Sequence, residues 1–330
     1  LIRLAPGWCA AHAMRARTRP LPRGDVGAAM RALASEDRAA AAGRVLAITA
    51  DGDRSWRNLV AAHLLAEIGE AQQALYFAEQ ALRSTRDFVR HEAWLQRGRL
   101  LLGEGDLDGV HRSADEAARL DPTDARPPRL HADAYKAAGR IDDAALHLLA
   151  ALEIAPESPR YAHRLAETLR LGVEAETWAR VDAALPRLRD PTGRNAELAA
   201  LRALAADHSG RSSEAEQHYR TALAGGAIPV PLDRDLRRLL VERGAWREAI
   251  AWLLRAVPPH VIRASDNLLA PRWRELERTA AAAPGPAASE AARLAFGRAL
   301  VGVGALDEAV VVLATVPSPA ARALETRVRG

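Results

Sequence analysis

The sequence has 330 residues, of which 27% are charged and only 4% aromatic, and its formal net charge is +4. Acidic and basic side chains alternate along this long chain, which argues against a nucleic-acid-binding surface, since such a surface needs clustered positive charge. The single cysteine, Cys9, excludes a disulfide or a cysteine-based metal site within one chain. No run of about 18 apolar residues marks a membrane span. Abundant Ala, Leu, Arg and Glu, the strongest helix formers, predict an all-α protein. We interpret the excess of Ala and Arg as the coding bias of a GC-rich bacterial genome.

The N-terminal part differs from the rest in composition. Residues 1–24 contain three prolines and five arginines but no acidic residue, which predicts a disordered basic tail. Residues 25–49 predict a degenerate first helix pair with a break near Ser35. The apolar stretch at the start is short and interrupted by Pro and Gly, so no signal peptide is predicted and the expected location is the cytoplasm. The sequence begins with Leu1, and whether Met14 is the true start stays open.

A short block recurs through the remaining chain. It consists of Gly, any residue, a mostly apolar residue, two polar residues and, in most copies, Ala. Its copies begin at Gly69, Gly105, Gly139, Gly210, Gly244 and Gly304. The spacing is 34 residues from Gly105 to Gly139 and again from Gly210 to Gly244, a period typical of a solenoid of helix–turn–helix repeats. Glycine suits the turn because it tolerates positive φ, and prolines such as Pro122 and Pro156 end the second helix of a repeat.

The repeats resemble the tetratricopeptide (TPR) family in residue type as well as in length. Two adjacent repeats carry the family's pattern, first through Trp94, Gly98, Leu101, Gly105, Val110, Ala114, Ala117 and Pro122, then through Ala132, Tyr135, Gly139, Ala144, Leu148, Ala151 and Pro156. In each repeat the eighth residue, in the first helix, is small because the twentieth residue, in the second helix, packs on it. The resulting pairs are Ala62/Ala74, Gly98/Val110, Ala132/Ala144, Ala203/Ala215 and Gly297/Ala309. The resemblance covers about residues 55–257 and 287–316. It implies a right-handed α-α superhelix, a TPR solenoid of about seven helix pairs.

Three segments depart from the pattern. Residues 157–195 predict an irregular repeat, because Trp178 stands where a small residue is expected. Arg237 occupies the small position of a later repeat, and residues 258–286 predict an inserted helix with a Pro-rich linker. The domain prediction is therefore a tail at 1–24, a TPR-like array at 25–257, the insertion at 258–286, and a last repeat with a capping helix at 287–330.

The residue pattern predicts no catalytic, metal or cofactor site, and an enzyme is not expected. His91-Glu92 lacks the second histidine of the zinc-protease motif, and the ten histidines are scattered along the sequence. Trp94, Trp246 and Trp252 fall at positions that pack between helices, so they are predicted to lie in the core. Trp273, on the inserted helix, is the candidate for an exposed stacking platform.

The TPR resemblance implies a concave groove lined by the second, fifth, ninth and twelfth positions of each first helix, which lie along one stripe. The predicted partner-binding residues are basic: Arg99, Arg126, Arg129, Lys136, Arg160, His163, Arg170, Arg234 and Arg238. Because arginine forks suit carboxylates, our hypothesis is that the groove binds a protein or peptide segment that carries acidic residues. The alternative is that these side chains form the ordinary solvated face of an arginine-rich protein.

Two functions fit this sequence. The first is a protein–protein interaction scaffold. The second, implied by the resemblance, is the substrate-recruiting N-terminal arm of a larger transferase of the sulfotransferase or glycosyltransferase type, with the sequence ending at residue 330. Neither a nucleic acid nor a membrane is an expected partner. The sequence does not specify the identity of the partner, the pathway or the oligomeric state.

Overall fold

The computed structural model describes residues 54–189, 195–227, 229–256, 269–281 and 290–329. The predicted basic tail, the predicted degenerate first helix pair and the prolines of the predicted linker lie outside these residues. Within them, sixteen α-helices and one short 3-10 helix are the only regular elements. This confirms the all-α prediction.

The helices of the described residues fall into two compact units, which divide between Val181 and Asp182. The first unit contains α1 (Arg54–Glu67), α2 (Ala71–Ala81), α3 (Asp87–Glu104), α4 (Leu107–Leu120), α5 (Arg126–Ala137), α6 (Ile141–Ile154), α7 (Pro159–Leu169) and most of α8 (Ala175–Ala184). The second unit contains the 3-10 helix Leu185–Arg187, α9 (Ala196–His208), α10 (Ser212–Ala224), α11 (Pro229–Glu242), α12 (Trp246–Ala256), α13 (Leu269–Ala281), α14 (Glu290–Gly302), α15 (Leu306–Ala314) and α16 (Pro319–Arg329).

Neighbouring helices pack as pairs, and the pairs stack on one another. In the first unit α1 packs on α2, α3 on α4 and α5 on α6, while α2–α3, α4–α5 and α6–α7 join successive pairs. The first helices of these pairs also contact one another, α1 with α3 and α3 with α5. We call α1, α3, α5 and α7 the A helices, and the surface that they share the A-helix face. In the second unit α9 packs on α10, α11 on α12, and α14 on α15.

The turn between paired helices has the geometry that the recurring block predicts. All six block glycines have positive φ, between 71° and 87°. At Gly105, for example, φ is 80°, a value that a residue with a Cβ adopts only under strain. The next residue, Asp106, then caps α4 by accepting a hydrogen bond from the N–H of Gly109 at 2.9 Å.

The small residues at the eighth position are buried, as the repeat pattern predicts. Ala62 and Ala132 are at most 2% exposed. At Gly98 an added Cβ would overlap Leu130 Cδ2 and would lie 3.2 Å from Ser113 Cβ. The repeat pattern predicts that Gly98 packs against Val110. The atoms nearest to an added Cβ belong instead to Ser113, one turn farther along α4, and to Leu130 on α5. A side chain at position 98 would therefore displace Leu130 at a point where three helices meet, rather than two.

The irregular repeat at 157–195 is attached to its neighbour by polar contacts. Asp142, at the start of α6, accepts hydrogen bonds from the Glu174 N–H at 2.9 Å and from the Thr177 hydroxyl at 2.6 Å. Trp178, which breaks the small-residue pattern, is 9% exposed. Its bulk is therefore packed into the interior.

The second unit has one large core that includes the helix of the inserted segment. Trp273 on α13 is 3% exposed and lies in a cluster with core residues of α9 to α15. The proposal of an exposed stacking platform at Trp273 is therefore wrong. Trp246 and Trp252 are partly buried against the same core. Core burial suits a large aromatic ring because it removes a large apolar area from water.

Arg237, which replaces the expected small residue, is buried in an ion pair. Its Nε and Nη2 each donate to a carboxylate oxygen of Glu308 at 3.1 Å. The two side chains are only 7% and 10% exposed. Burial raises the pKa of the Glu308 carboxyl, although the hydrogen bond and positive charge of Arg237 oppose this. The pair joins α11 to α15 across 71 residues of sequence.

Candidate functional site

The A-helix face carries both acidic and basic side chains, and Arg126 on α5 is fully engaged there. Its guanidinium forms two hydrogen bonds with the Glu92 carboxylate, at 2.9 and 2.5 Å, and one with Asp124 at 2.7 Å. Burial alone would raise the pKa of Glu92, but hydrogen bonds from His91 and Arg126 lower it to about 2. The charge of Arg126 is thus compensated within the chain, and this predicted groove residue holds two adjacent A helices together.

Arg99 and Arg129 lie on the same face and are not compensated in this way. Arg99 has no ion-pair partner among the described residues, and its buried Nη2 has no hydrogen-bond acceptor. Burial, followed by the positive charges of Arg129 and Arg126, lowers the pKa of Arg99 to about 10, although the Glu92 and Asp124 carboxylates oppose this shift. A partly buried cation beside other cations is stabilised when an anion joins it.

Arg129 shares its nearest acid with another arginine. Its Nη1 lies 3.9 Å from Asp133, whose carboxylate also pairs with Arg164 of α7. The Nε of Arg129 is buried without an acceptor. Burial lowers the pKa of Arg129, Asp133 raises it in part, and Arg164 and Arg160 lower it further. Positive charge therefore exceeds negative charge around Arg129.

Two further residues border these arginines, and neither was predicted from the sequence. His63 on α1 has a buried Nε2 without a partner, and its titration is influenced by Arg99. Tyr161 on α7 is partly buried near Arg129, and burial raises the pKa of its phenol. His63 directly follows the small residue Ala62, just as Arg99 directly follows Gly98. The two residues therefore occupy the same position of their repeats, and the repeat register could have identified His63 as a residue of this face. No pattern in the sequence identifies Tyr161.

The state of His63 makes the stability of the chain depend on pH. Burial and then the charge of Arg99 lower the pKa of His63 to about 4. Between about pH 6.5 and 4 the unfolded chain binds a proton here that the folded chain does not, so the free energy of unfolding should fall by about 1–3 kcal/mol as the pH is lowered. We expect His63→Gln to reduce this fall in urea denaturation at about pH 7 and 5. An unchanged pH dependence in the variant would contradict this assignment.

His91, Asp121 and Asp124 place potential metal-ligand atoms within 4.8 Å of one another. The buried His91 Nε2 lies 3.5 Å from Asp124. However, the Asp124 carboxylate already accepts hydrogen bonds from the backbone N–H of Arg126 at 2.8 Å and from its guanidinium. A cation at this position would be repelled by that guanidinium, so we interpret the cluster as part of the Arg126 ion-pair network.

The other predicted groove residues are spread over two units. Lys136 and Arg160 are exposed, His163 lies 3.4 Å from Glu167, and Arg170 follows the last residue of α7. The remaining two, Arg234 and Arg238, lie on α11 of the second unit, where Arg238 pairs with Asp207 and Glu242. In the structure Arg99, Arg126 and Arg129 lie close together, whereas the other predicted groove residues lie in different environments.

The positive-φ glycines at 34-residue spacing, the stacked helix pairs and the buried small residues together define the repeat. The chain has the tetratricopeptide-repeat fold. A search of protein-family models and a search of curated proteins returned no match to the sequence.

Several solved structures of TPR proteins are similar to this chain. MamA residues 41 to the end, from Desulfovibrio magneticus RS-1, is 19% identical with a TM-score of 0.37, covering 56% of this chain and 99% of its own. A TPR protein from Parabacteroides merdae is 17% identical with a TM-score of 0.38, covering 71% and 93%. YrrB, described as a TPR protein with an unusual peptide-binding site, is 14% identical with a TM-score of 0.36, covering 55% and 91%. The assignment of the fold rests on the chain's own geometry.

None of the helices that the structure describes combines the length and the apolar character needed to cross a bilayer.

Proposed function

We propose that this protein is an interaction scaffold whose A-helix face in the first unit binds a protein or peptide segment that carries carboxylates. The observation that carries the proposal is the pair Arg99 and Arg129, two partly buried cations on the A-helix face whose charge no carboxylate of the described residues fully compensates. Arginine binds carboxylates through parallel hydrogen bonds, and such charge-assisted bonds are about twice as strong as neutral ones. The site would thus bind acidic side chains or a chain terminus in preference to neutral groups.

The arrangement of the charges favours an extended ligand. Arg99 and Arg129 lie on successive A helices, and Arg160 lies on the helix after them. A ligand that crosses these helices could place carboxylates against more than one arginine. Arg126 supports the site without binding the ligand, because Glu92 and Asp124 already occupy its donors.

Labelled peptides that differ only in carrying Glu or Gln at the same positions test this proposal. We expect the unmodified chain to bind the Glu peptide more tightly, with an affinity that falls as salt is added. The double variant Arg99→Met/Arg129→Met should weaken Glu-peptide binding by about tenfold or more, because each lost charge-assisted hydrogen bond is worth about 1.5–3 kcal/mol. Fluorescence anisotropy measures both effects.

Arg119→Met is the matched control, because Arg119 lies on α4 with 66% of its side chain exposed. This variant removes the same charge from a surface pair with Glu116 and should leave peptide affinity unchanged. Equal affinity for the Glu and Gln peptides, or equal losses in the control and the double variant, would refute carboxylate binding at Arg99 and Arg129.

A further inference from the structure

The second unit contains a cavity of about 290 Å³ between α11, α14 and α15. Half of the described side chains that line it are apolar: Val241, Phe296, Leu300, Val311 and Val312. Four of these are at most 8% exposed, whereas Val311 is 46% exposed and lies at the mouth. The cavity therefore has a buried apolar wall and an opening to solvent, a combination that favours a ligand with an apolar part.

Charged side chains complete the lining of the cavity, and the acids outnumber the bases. Asp235, Asp307 and Glu308 line it together with Arg234 and Arg238. Asp307, in the first turn of α15, is exposed and has no ion-pair partner among the described residues. Its carboxylate is therefore free to interact with a ligand that enters the cavity.

The arginines at the cavity are engaged by carboxylates of the chain itself. Arg238 pairs with Asp207 and with Glu242, and the Nε of Arg234 lies 3.7 Å from the Asp235 carboxylate. With these partners and the buried Arg237–Glu308 pair included, the charged groups around the cavity are the carboxylates of Asp207, Asp235, Glu242, Asp307 and Glu308 and the guanidiniums of Arg234, Arg237 and Arg238. Five carboxylates against three guanidiniums leave two negative charges in excess.

The titration of Asp207 is consistent with this excess of negative charge. Burial raises the pKa of its carboxyl, while the charge of Arg238 and a hydrogen bond from Tyr219 oppose the shift. The negative charges of Asp235 and Glu242 raise this pKa further. A cation bound in the cavity would relieve the repulsion between these carboxylates.

We propose that this cavity binds a lysine side chain of a partner protein. A lysine packs its four-carbon stem along apolar surface and keeps its charged head near water or acids, which matches the placement of Val311 beside the exposed Asp307. Its ammonium has three donors that can bind separate carboxylates. Ligand pockets typically measure about 300–1,000 Å³, so a cavity at the lower end of this range suits one side chain rather than a large cofactor.

The open mouth favours a side chain of a partner over a free amine. Asp307 and Val311 are exposed, and Arg234 has 57% of its side chain exposed, so a main chain can cross the mouth while one side chain enters. A free amine that fits the cavity has few atoms, and each atom contributes at most about 1.5 kcal/mol to binding. This inference is independent of carboxylate binding at Arg99 and Arg129, because it concerns another unit and a ligand of opposite charge.

Methyl NMR spectroscopy of the full chain tests this proposal, because it detects weak binding at single side chains. The probes are N-acetyl-lysine methylamide and N-acetyl-norleucine methylamide, which share a four-carbon stem and differ in the ammonium. We expect the lysine probe to shift the methyl resonances of Val311 and Val312 saturably. It should bind about two- to fivefold more tightly than the norleucine probe, the effect of one partly exposed ion pair, and added salt should reduce this preference.

Two substitutions separate the contribution of the charge from that of the apolar wall. Asp307→Asn should remove most of the preference for the lysine probe and leave the affinity of the norleucine probe unchanged, since only the ammonium interacts with the carboxylate. Val311→Thr keeps the shape of the side chain but removes apolar surface from the mouth. It should weaken both probes by about the same factor.

Glu290→Gln is the matched control for Asp307→Asn. Glu290 is also an exposed acid in the first turn of a helix, α14, but it does not line the cavity. This variant should bind both probes as the unmodified chain does. Equal affinity of the unmodified chain for the two probes, tighter binding of N-acetyl-glutamate methylamide, or the absence of shifts at Val311 and Val312 would overturn the proposal.

Discussion

Replacing Gly98 with alanine should lower the free energy of unfolding by about 1–3 kcal/mol, although alanine is the better helix former. The new Cβ would overlap Leu130 Cδ2 and approach Ser113 Cβ to 3.2 Å. Leu130 is 1% exposed and Ser113 is fully buried, so neither can move into solvent. Gly98→Leu should be more damaging still and should separate α3 from α5. Urea denaturation followed by circular dichroism measures both changes.

Gly103, in the last turn of the same helix, provides the control for this substitution. An added Cβ there meets no atom within 4 Å, and its φ is not positive. Gly103→Ala should therefore raise the free energy of unfolding by about 0.5–1 kcal/mol. If both substitutions had the same sign, helix propensity rather than packing would govern the site, and the account of Gly98 would be wrong.

Breaking the buried ion pair between α11 and α15 should have the largest effect of any single substitution in the second unit. Glu308→Leu leaves the Arg237 guanidinium buried without a carboxylate, and Arg237→Met leaves the carboxylate unpaired. Each single variant should lower the free energy of unfolding by about 3–5 kcal/mol, the range measured for unpaired buried charges. Chemical denaturation of both variants checks this.

The double variant Arg237→Met/Glu308→Leu separates charge burial from packing. Apolar side chains of similar length avoid the cost of removing charge from water, so the double variant should lie within about 1 kcal/mol of the unmodified chain. A double variant as unstable as the two single variants combined would show that the two side chains do not interact energetically.

The repeat architecture could be predicted from the sequence because every repeat carries the same local residue pattern. A glycine at the turn and a small residue eight positions into the first helix are local requirements, and Gly105 and Ala132 meet them in the expected way. Arg237 could not be assigned from the repeat register, since its partner Glu308 lies 71 residues farther along the chain. Trp273 remained a candidate stacking platform because the inserted helix has no repeat register that would indicate its buried side.

The composition of the A-helix face could be predicted only in part. Position in the repeat predicts that Arg99, Arg126 and Arg129 share one face. It did not show that Glu92 and Asp124 compensate Arg126 and leave Arg99 uncompensated, because ion pairing depends on rotamers and on the loop before α5.

The most direct test of the account is to measure both stability and acidic-peptide affinity for Arg99→Met. If Arg99 is a cation whose charge is compensated only by a bound carboxylate, this variant should keep or slightly raise the free energy of unfolding. It should also weaken Glu-peptide binding about tenfold or more. A fall in the free energy of unfolding of about 3 kcal/mol, as for a broken buried pair, with unchanged peptide affinity would contradict the account. Arg99 would then be part of the structural framework rather than of a binding site.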